Sequence, residues 1–165
     1  MPYLIDGNNV MGQRVGWHRD KVGARRRLLD ELAGFVRGAR VSVSVVFDGA
    51  PEPHFPDGAS YRGVRVFYAV RGSNADERIK RMVDEARERR TLIVVTSDRA
   101  LADYVRRSGV QVVGAGEFRR RLDEMVAAAQ ADEQAARGEQ REGVRDAELP
   151  GWMRYFGVDE DDEEA

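Results

Sequence analysis

The stretch YLIDGNNVMG, residues 3–12, decides the fold: Tyr3, Leu4 and Ile5 run into an acid, Asp6, and the chain then breaks through Gly7, Asn8 and Asn9. PYLID is too short for a helix and is edged by Gly and Asn, which marks a short buried strand. The pattern recurs. VSVSVVFD (41–48) carries β-branched residues into Asp48, and LIVVTSD (92–98), the most apolar segment of the chain, ends on Asp98. Strands that are apolar without alternation are covered on both faces, as in a mostly parallel sheet between two helical layers.

The segments between these strands have the complementary periodicity. Val22, Leu28, Leu29, Leu32 and Val36 recur near a helical period and predict an amphipathic helix ending at Gly38. Residues 49–63, GAPEPHFPDGASYRG, gather three prolines and three glycines and predict a long loop of the kind that often carries function. VRVFYA (64–69) reads as a strand. After it, Ser73 or Asn74 caps a helix bearing Ile79, Met82, Val83 and Ala86. A helix over 99–108, a strand at VQVV (110–113) and a long helix from Glu117 toward Gly138 complete a β-α-β-β-α-β-α-β-α order. The expectation is an α/β fold, a three-layer α/β/α sandwich occupying residues 1–138. Residues 139–165 then form a polar linker, the aromatic segment LPGWMRYFG (149–157) and an acidic tail. That aromatic segment either folds back over an apolar face or docks a partner, and the tail is either solvated or a mimic of RNA phosphates.

Composition narrows the chemistry. A chain of 165 residues can bury one substantial core. It has no cysteine, and His18 and His54 lie far apart, so any metal site would be built from oxygen. No apolar run approaches the ~20 residues of a membrane helix and no leader pattern opens the chain, which leads to the expectation of a cytoplasmic protein. The net charge of -2 hides an asymmetry: six acids occupy 159–164, so residues 1–158 carry -2 + 6 = +4. Apart from Lys21 and Lys80 the basic residues are all arginine.

In an open α/β sheet, ligands sit beyond the carboxyl ends of the strands where strand order reverses. Asp6, Asp48 and Asp98 end strands there, and Asp76 starts a helix on the same edge. Four carboxylates in one small volume repel one another, and they either take up protons or recruit a hard divalent cation such as Mg²⁺ or Mn²⁺. Each acid also has a plainer role: Asp6 and Asp48 in turns before Gly7 and Gly49, Asp76 and Asp98 near helix starts. Glu77 fits a capping box with Asn74, and Asp103 fits the surface. Asn8 and Asn9 suit a tight turn, or orient a water or a phosphate oxygen without adding charge. Ser97 can hold an acid or donate to phosphate.

Taken together, LIDGNNV, VVFDG, NADERI and VVTSD resemble the YacP-like NYN domains of the PIN-like nuclease superfamily over residues 1–130. The resemblance implies a PIN-like fold and metal-dependent hydrolysis of RNA phosphodiester bonds, with endonucleolytic cutting. It also implies an acidic cluster at Asp6, Asp48, Asp76 and Asp98 that binds Mg²⁺ or Mn²⁺, with Asn8 and Ser97 in support. RNA, single-stranded or messenger, is the implied partner, and the ribosome is a further candidate. For phosphate contacts the sequence offers Arg14, Arg25, Arg62 and Arg71, with Arg19, Arg26 and Arg65 nearby in sequence, though each also fits a solvated surface charge. His54, Phe55 and Tyr61 either stack on bases or anchor the long loop. Two rivals remain. A haloacid-dehalogenase-like phosphatase would want a second acid where this chain has Asn8, and a non-catalytic RNA- or ribosome-binding module would need no acidic cluster at all.

Overall fold

The computed structural model describes residues 2–69 and 71–148, the last of these, 141–148, by backbone alone. The aromatic segment and acidic tail discussed above lie outside the described residues. The elements are β1 (Pro2–Asp6), α1 (Gly7–Met11), a 3-10 turn (Trp17–Arg19), α2 (Lys21–Ala39), β2 (Ser42–Phe47), β3 (Ala59–Tyr61), β4 (Val64–Tyr68), α3 (Ala75–Glu85), β5 (Ile93–Val95), α4 (Arg99–Arg107), β6 (Gln111–Val113) and α5 (Ala115–Glu148). Met1–Val126 forms one compact unit, and residues from Ala127 onward a second. Within the second, α5 continues and carries an Arg137–Glu133 pair at 2.7 Å.

The sheet has the order β3-β4-β2-β1-β5-β6, with every neighbouring pair parallel except β3 and β4. From β1 the chain builds outward in one direction through β2 and β4, then crosses to β5 and β6 on the other side. The reversal therefore falls between β1 and β5, between the strands that lead into Asp6 and Asp98. Alternate residues of each strand supply the two cores. Tyr3, Ile5, Val43, Val45 and Phe47 pack with Leu28, Leu32 and Phe118 of α2 and α5. On the other face Leu4, Val46 and Val94 pack with Ile79 and Val83 of α3 and Leu101 and Val105 of α4. This is the three-layer α/β/α sandwich expected from the continuously apolar strands.

The structure departs from the sequence reading in three places. Residues 49–63 are not loop throughout, because parallel β2 and β4 require the chain to return to its starting edge, and β3 does this in an antiparallel pair with β4. Phe55 is buried in the same segment, against the Tyr61 ring at 5.4 Å, while the Tyr61 hydroxyl donates to Asp30 at 2.6 Å. These aromatics anchor the segment. Gly7, Asn8 and Asn9 form the start of the short helix α1 rather than a turn. Finally, α5 does not stop near Gly138 but passes through it to Glu148. A single helical glycine costs only about 1 kcal/mol, less than a run of Ala, Gln, Glu and Arg around it supplies in propensity.

Gly7 lets α1 sit down on the sheet. A Cβ there would lie 2.6 Å from the ring of Phe47 and 3.0 Å from Val45 Cγ2, both fully buried. We expect Gly7→Ala to lower stability by about 1–3 kcal/mol in urea unfolding. Gly34→Ala, at a site on α2 with nothing within 4 Å, should raise it by up to about 1 kcal/mol.

Candidate functional site

The two amides after Asp6 explain how the carboxyl rim of the sheet is assembled. Asn8 Oδ1 accepts from the backbone N–H of Asp48 at 3.0 Å, and Asn9 Oδ1 accepts from the N–H of Ser97 at 2.7 Å. One residue reaches the end of β2 and the next reaches the loop after β5, so consecutive side chains clamp the strand ends on either side of β1. Ser97 Oγ in turn accepts from the N–H of Ala115 at the start of α5, at 2.8 Å. In this structure Asn8 and Ser97 act on backbone, as positioning residues.

The acids are held in the same manner. Asp48 Oδ1 accepts from Ala75 N at 2.7 Å, fastening the end of β2 to the first turn of α3, whose Asn74 cap accepts from Glu77 N at 3.0 Å. Asp98 caps α4 through Leu101 N at 2.9 Å. Asp6 is 4% exposed, and its Oδ2 accepts from the Thr96 hydroxyl at 3.0 Å. Thr96 Oγ1 also accepts from Asp98 N at 3.2 Å, so one buried hydroxyl joins the acids on either side of the strand reversal. Sequence reasoning did not single out Thr96. Its one signal was a hydroxyl residue closing the apolar run LIVV. Glu77 instead pairs with Lys80 at 3.7 Å on the surface, and Asp103 pairs with Arg106 there.

Two of the four aspartates, Asp6 and Asp76, are raised by burial and by the charges of their neighbours. Burial pushes the Asp6 carboxyl up to about 6; the Thr96 hydroxyl opposes this, and the charges of Asp76 and Asp48 add to it. Asp76 is also raised, first by burial, then by the charges of Asp98 and Asp48 and by a hydrogen bond shared with Asp98, against the pull of Lys80. Four segments distant in sequence thus bring like charges into one rim, and part of that charge is unfavourable without a proton or a cation.

By donor chemistry the set suits a hard divalent ion, since every candidate ligand is a carboxylate oxygen. Among the described residues no group of three or more Asp, Glu, His or Cys side chains is placed to hold a metal ion as it stands. Asp48 and Asp98 each devote one oxygen to a helix start, and the other oxygen of Asp48 has no protein donor among the described residues. Asp6, Asp48, Asp76 and Asp98 are the candidate ligands, and holding an ion would require their side chains to draw together.

The arginines expected to contact phosphate divide. Arg71 lies on the acidic rim, exposed, lining a cavity of about 510 Å³ with Gly49, Pro51 and Ser73. Arg14 is half exposed and pairs with Glu31 at 3.3 Å and Asp123 at 3.2 Å. Arg25 turns inward: its side chain is 12% exposed, pairs with Glu52 at 3.4 Å, and donates to the carbonyls of Asp48 and Ala50. It lies over the Phe47 and Tyr68 rings and so supports the loop instead of meeting solvent. Arg62 is at the wrong end of the sheet. It sits in the β3–β4 turn, just before Val64, which pairs with Val43 near the start of β2. Arg65 shares that edge.

The raised carboxyls make stability depend on pH. Asp6 favours folding fully below its unfolded value of 3.8, and that contribution is lost as pH rises through about 6, a difference of about 3 kcal/mol by pH 7. In EDTA, the stability of Asp6→Asn relative to the parent should therefore rise by up to about 3 kcal/mol from about pH 4 to pH 7, read by denaturant midpoints. At Asp98 the cap dominates. Asp98→Ala should lose about 1 kcal/mol while Asp98→Asn, an equally good cap, stays close to the parent.

Comparison with known proteins supplies the family. The model of the YacP-like NYN domain matches residues 3–150. A crystal structure of Rae1 (YacP) from Bacillus subtilis superposes with a TM-score of 0.69 at 22% identity, covering 95% of this chain and 92% of that one. A tryptophan-to-leucine variant of Rae1 gives 0.70 at 22% identity over 84% of each chain. At that identity the likeness establishes a shared fold. A search of curated proteins finds no match. Because the family match runs nearly end to end, the chain belongs to the YacP-like NYN domain family, a nuclease-type group with a PIN-like fold.

Proposed function

We propose that this protein is a divalent-metal-dependent ribonuclease of the cytoplasm, cutting single-stranded or messenger RNA internally. The observation that carries the reading is the raised carboxyls of Asp6 and Asp76 at the strand reversal, each pushed up by burial and then by the charges of neighbouring aspartates. Asp6, Asp76 and Asp98 would hold one or two Mg²⁺ or Mn²⁺ ions, with Asp48 completing the set. When bound, such an ion supplies positive charge for the scissile phosphate and lowers the pKa of a water. The chain's own contribution is placement. Thr96 fixes the Asp6 carboxylate, while Asn8 and Asn9 keep the flanking strand ends in register with β1.

Internal cutting is favoured because the acids lie along an open rim. The Arg71 cavity is beyond the ends of β2 and β4, and a second cavity of about 440 Å³, lined by Ser97, Arg99 and Arg106, lies toward β6. An RNA strand could cross from one to the other with its phosphate over the acids. A binding module without catalysis, with RNA or the ribosome as partner, is the alternative, and the lack of a closed carboxylate cage among the described residues is what favours it.

The test is cleavage of an internally labelled single-stranded RNA by purified protein. Cutting should require Mn²⁺ or Mg²⁺, stop in EDTA, and fall by about a hundredfold or more in Asp6→Asn and Asp76→Asn. RNA binding with no cleavage under any metal condition would establish the alternative.

A further inference from the structure

Outside the acidic rim, the pocket between α2, α5 and the segment after α1 has no part in the proposed chemistry. It encloses about 260 Å³. Met11, Trp17 and Leu28 give it an apolar wall, and Val15 stands at its lip fully exposed to solvent. The remaining lining is charged, with Arg14, Arg27, Arg119 and Glu31, and Asp123 beside it pairs with both Arg14 and Arg119. Arg119, 6% exposed, is fixed by Glu31 and Asp123, and burial followed by the Arg14 charge lowers its pKa. Arg27 is exposed and makes no ion pair among the described residues. An apolar slot with the guanidinium of Arg27 exposed at its mouth matches a planar base attached to a phosphate.

Size and position specify the ligand further. Pockets for drug-sized ligands begin near 300 Å³, so this one admits about a single nucleotide and no more. It also adjoins the rim. Gly12 N–H donates to the Asn8 carbonyl at 2.9 Å, and a Cβ on Gly12 would stand 3.8 Å from Trp17 Nε1. The five residues of α1 span about 7 Å, roughly the advance of two nucleotides along a strand.

We propose that this pocket is a nucleotide subsite, which takes one base of the RNA strand against Trp17 and Leu28 and its phosphate on Arg14 and Arg27. The assignment rests on the ribonuclease reading for its choice of RNA. It fixes where the strand sits relative to the acids, and it predicts preference among bases.

The experiment is calorimetric titration of the full chain in EDTA with each of the four ribonucleoside 5′-monophosphates and with inorganic phosphate. At least one monophosphate should bind about tenfold or more tightly than phosphate, as base stacking requires. Val15→Asp and Arg27→Glu should each weaken that binding about tenfold with unchanged Tm, whereas Arg65→Glu at the opposite sheet edge should not. The proposal is overturned if the monophosphates bind no better than phosphate, which would leave a simple anion site. It is equally overturned if both mouth variants bind like the parent. Since no metal is present and nothing is cleaved, a negative result here is separate from failure of the nuclease assay.

Discussion

The burial of carboxylates beside one another at the strand reversal is the constraint around which this structure is arranged. Left to themselves, four carboxylates would drift apart into solvent, and the sheet would lose the sharp convergence of its strand ends. They stay because each is tied to something other than its neighbours: Asp6 to a buried hydroxyl, Asp48 and Asp98 to helix N–H groups, Asp76 to the first turn that Asn74 and Asp48 hold in place. Helix starts are positive ends of dipoles, so the ties also offset part of the charge they bring together. The result is a rim that is organised while the Asp6 and Asp76 carboxyls stay raised.

The same ties show why plain and functional readings of these residues are not alternatives. Asp98 is an N-cap and belongs to the acidic group. Asn8 and Asn9 are polar residues in a helix start and clamp two other segments at once. A carboxylate has two oxygens, one of which can serve the fold while the other faces the opening. Structural duty at these positions therefore says nothing against a chemical one.

The layers of the fold were legible because continuously apolar strands leave few other solutions, and the acids were legible because they end those strands. What escaped were features set by tertiary demand. β3 exists because β2 and β4 run the same way, a requirement invisible in ASY. Arg25 and Arg62 carry the same side chain, but one is drawn over two aromatic rings and the other is placed at the far edge by a turn. Thr96 and Arg119 matter only because residues 90 or so positions away arrive beside them, Asp6 in one case and Glu31 in the other. No local pattern encodes such pairings. The Val22 position shows the converse: it fits the helical period of α2 and is nonetheless 60% exposed.

Asp48 joins more elements than any other member of the rim. Its N–H is gripped from α1, its carbonyl from α2 and its side chain from α3, and α2 and α3 lie on opposite faces of the sheet. The residue is thus a rivet through the sandwich. A change at Asp48 is therefore passed to both outer layers together, to α2 through Arg25 and to α3 through Ala75.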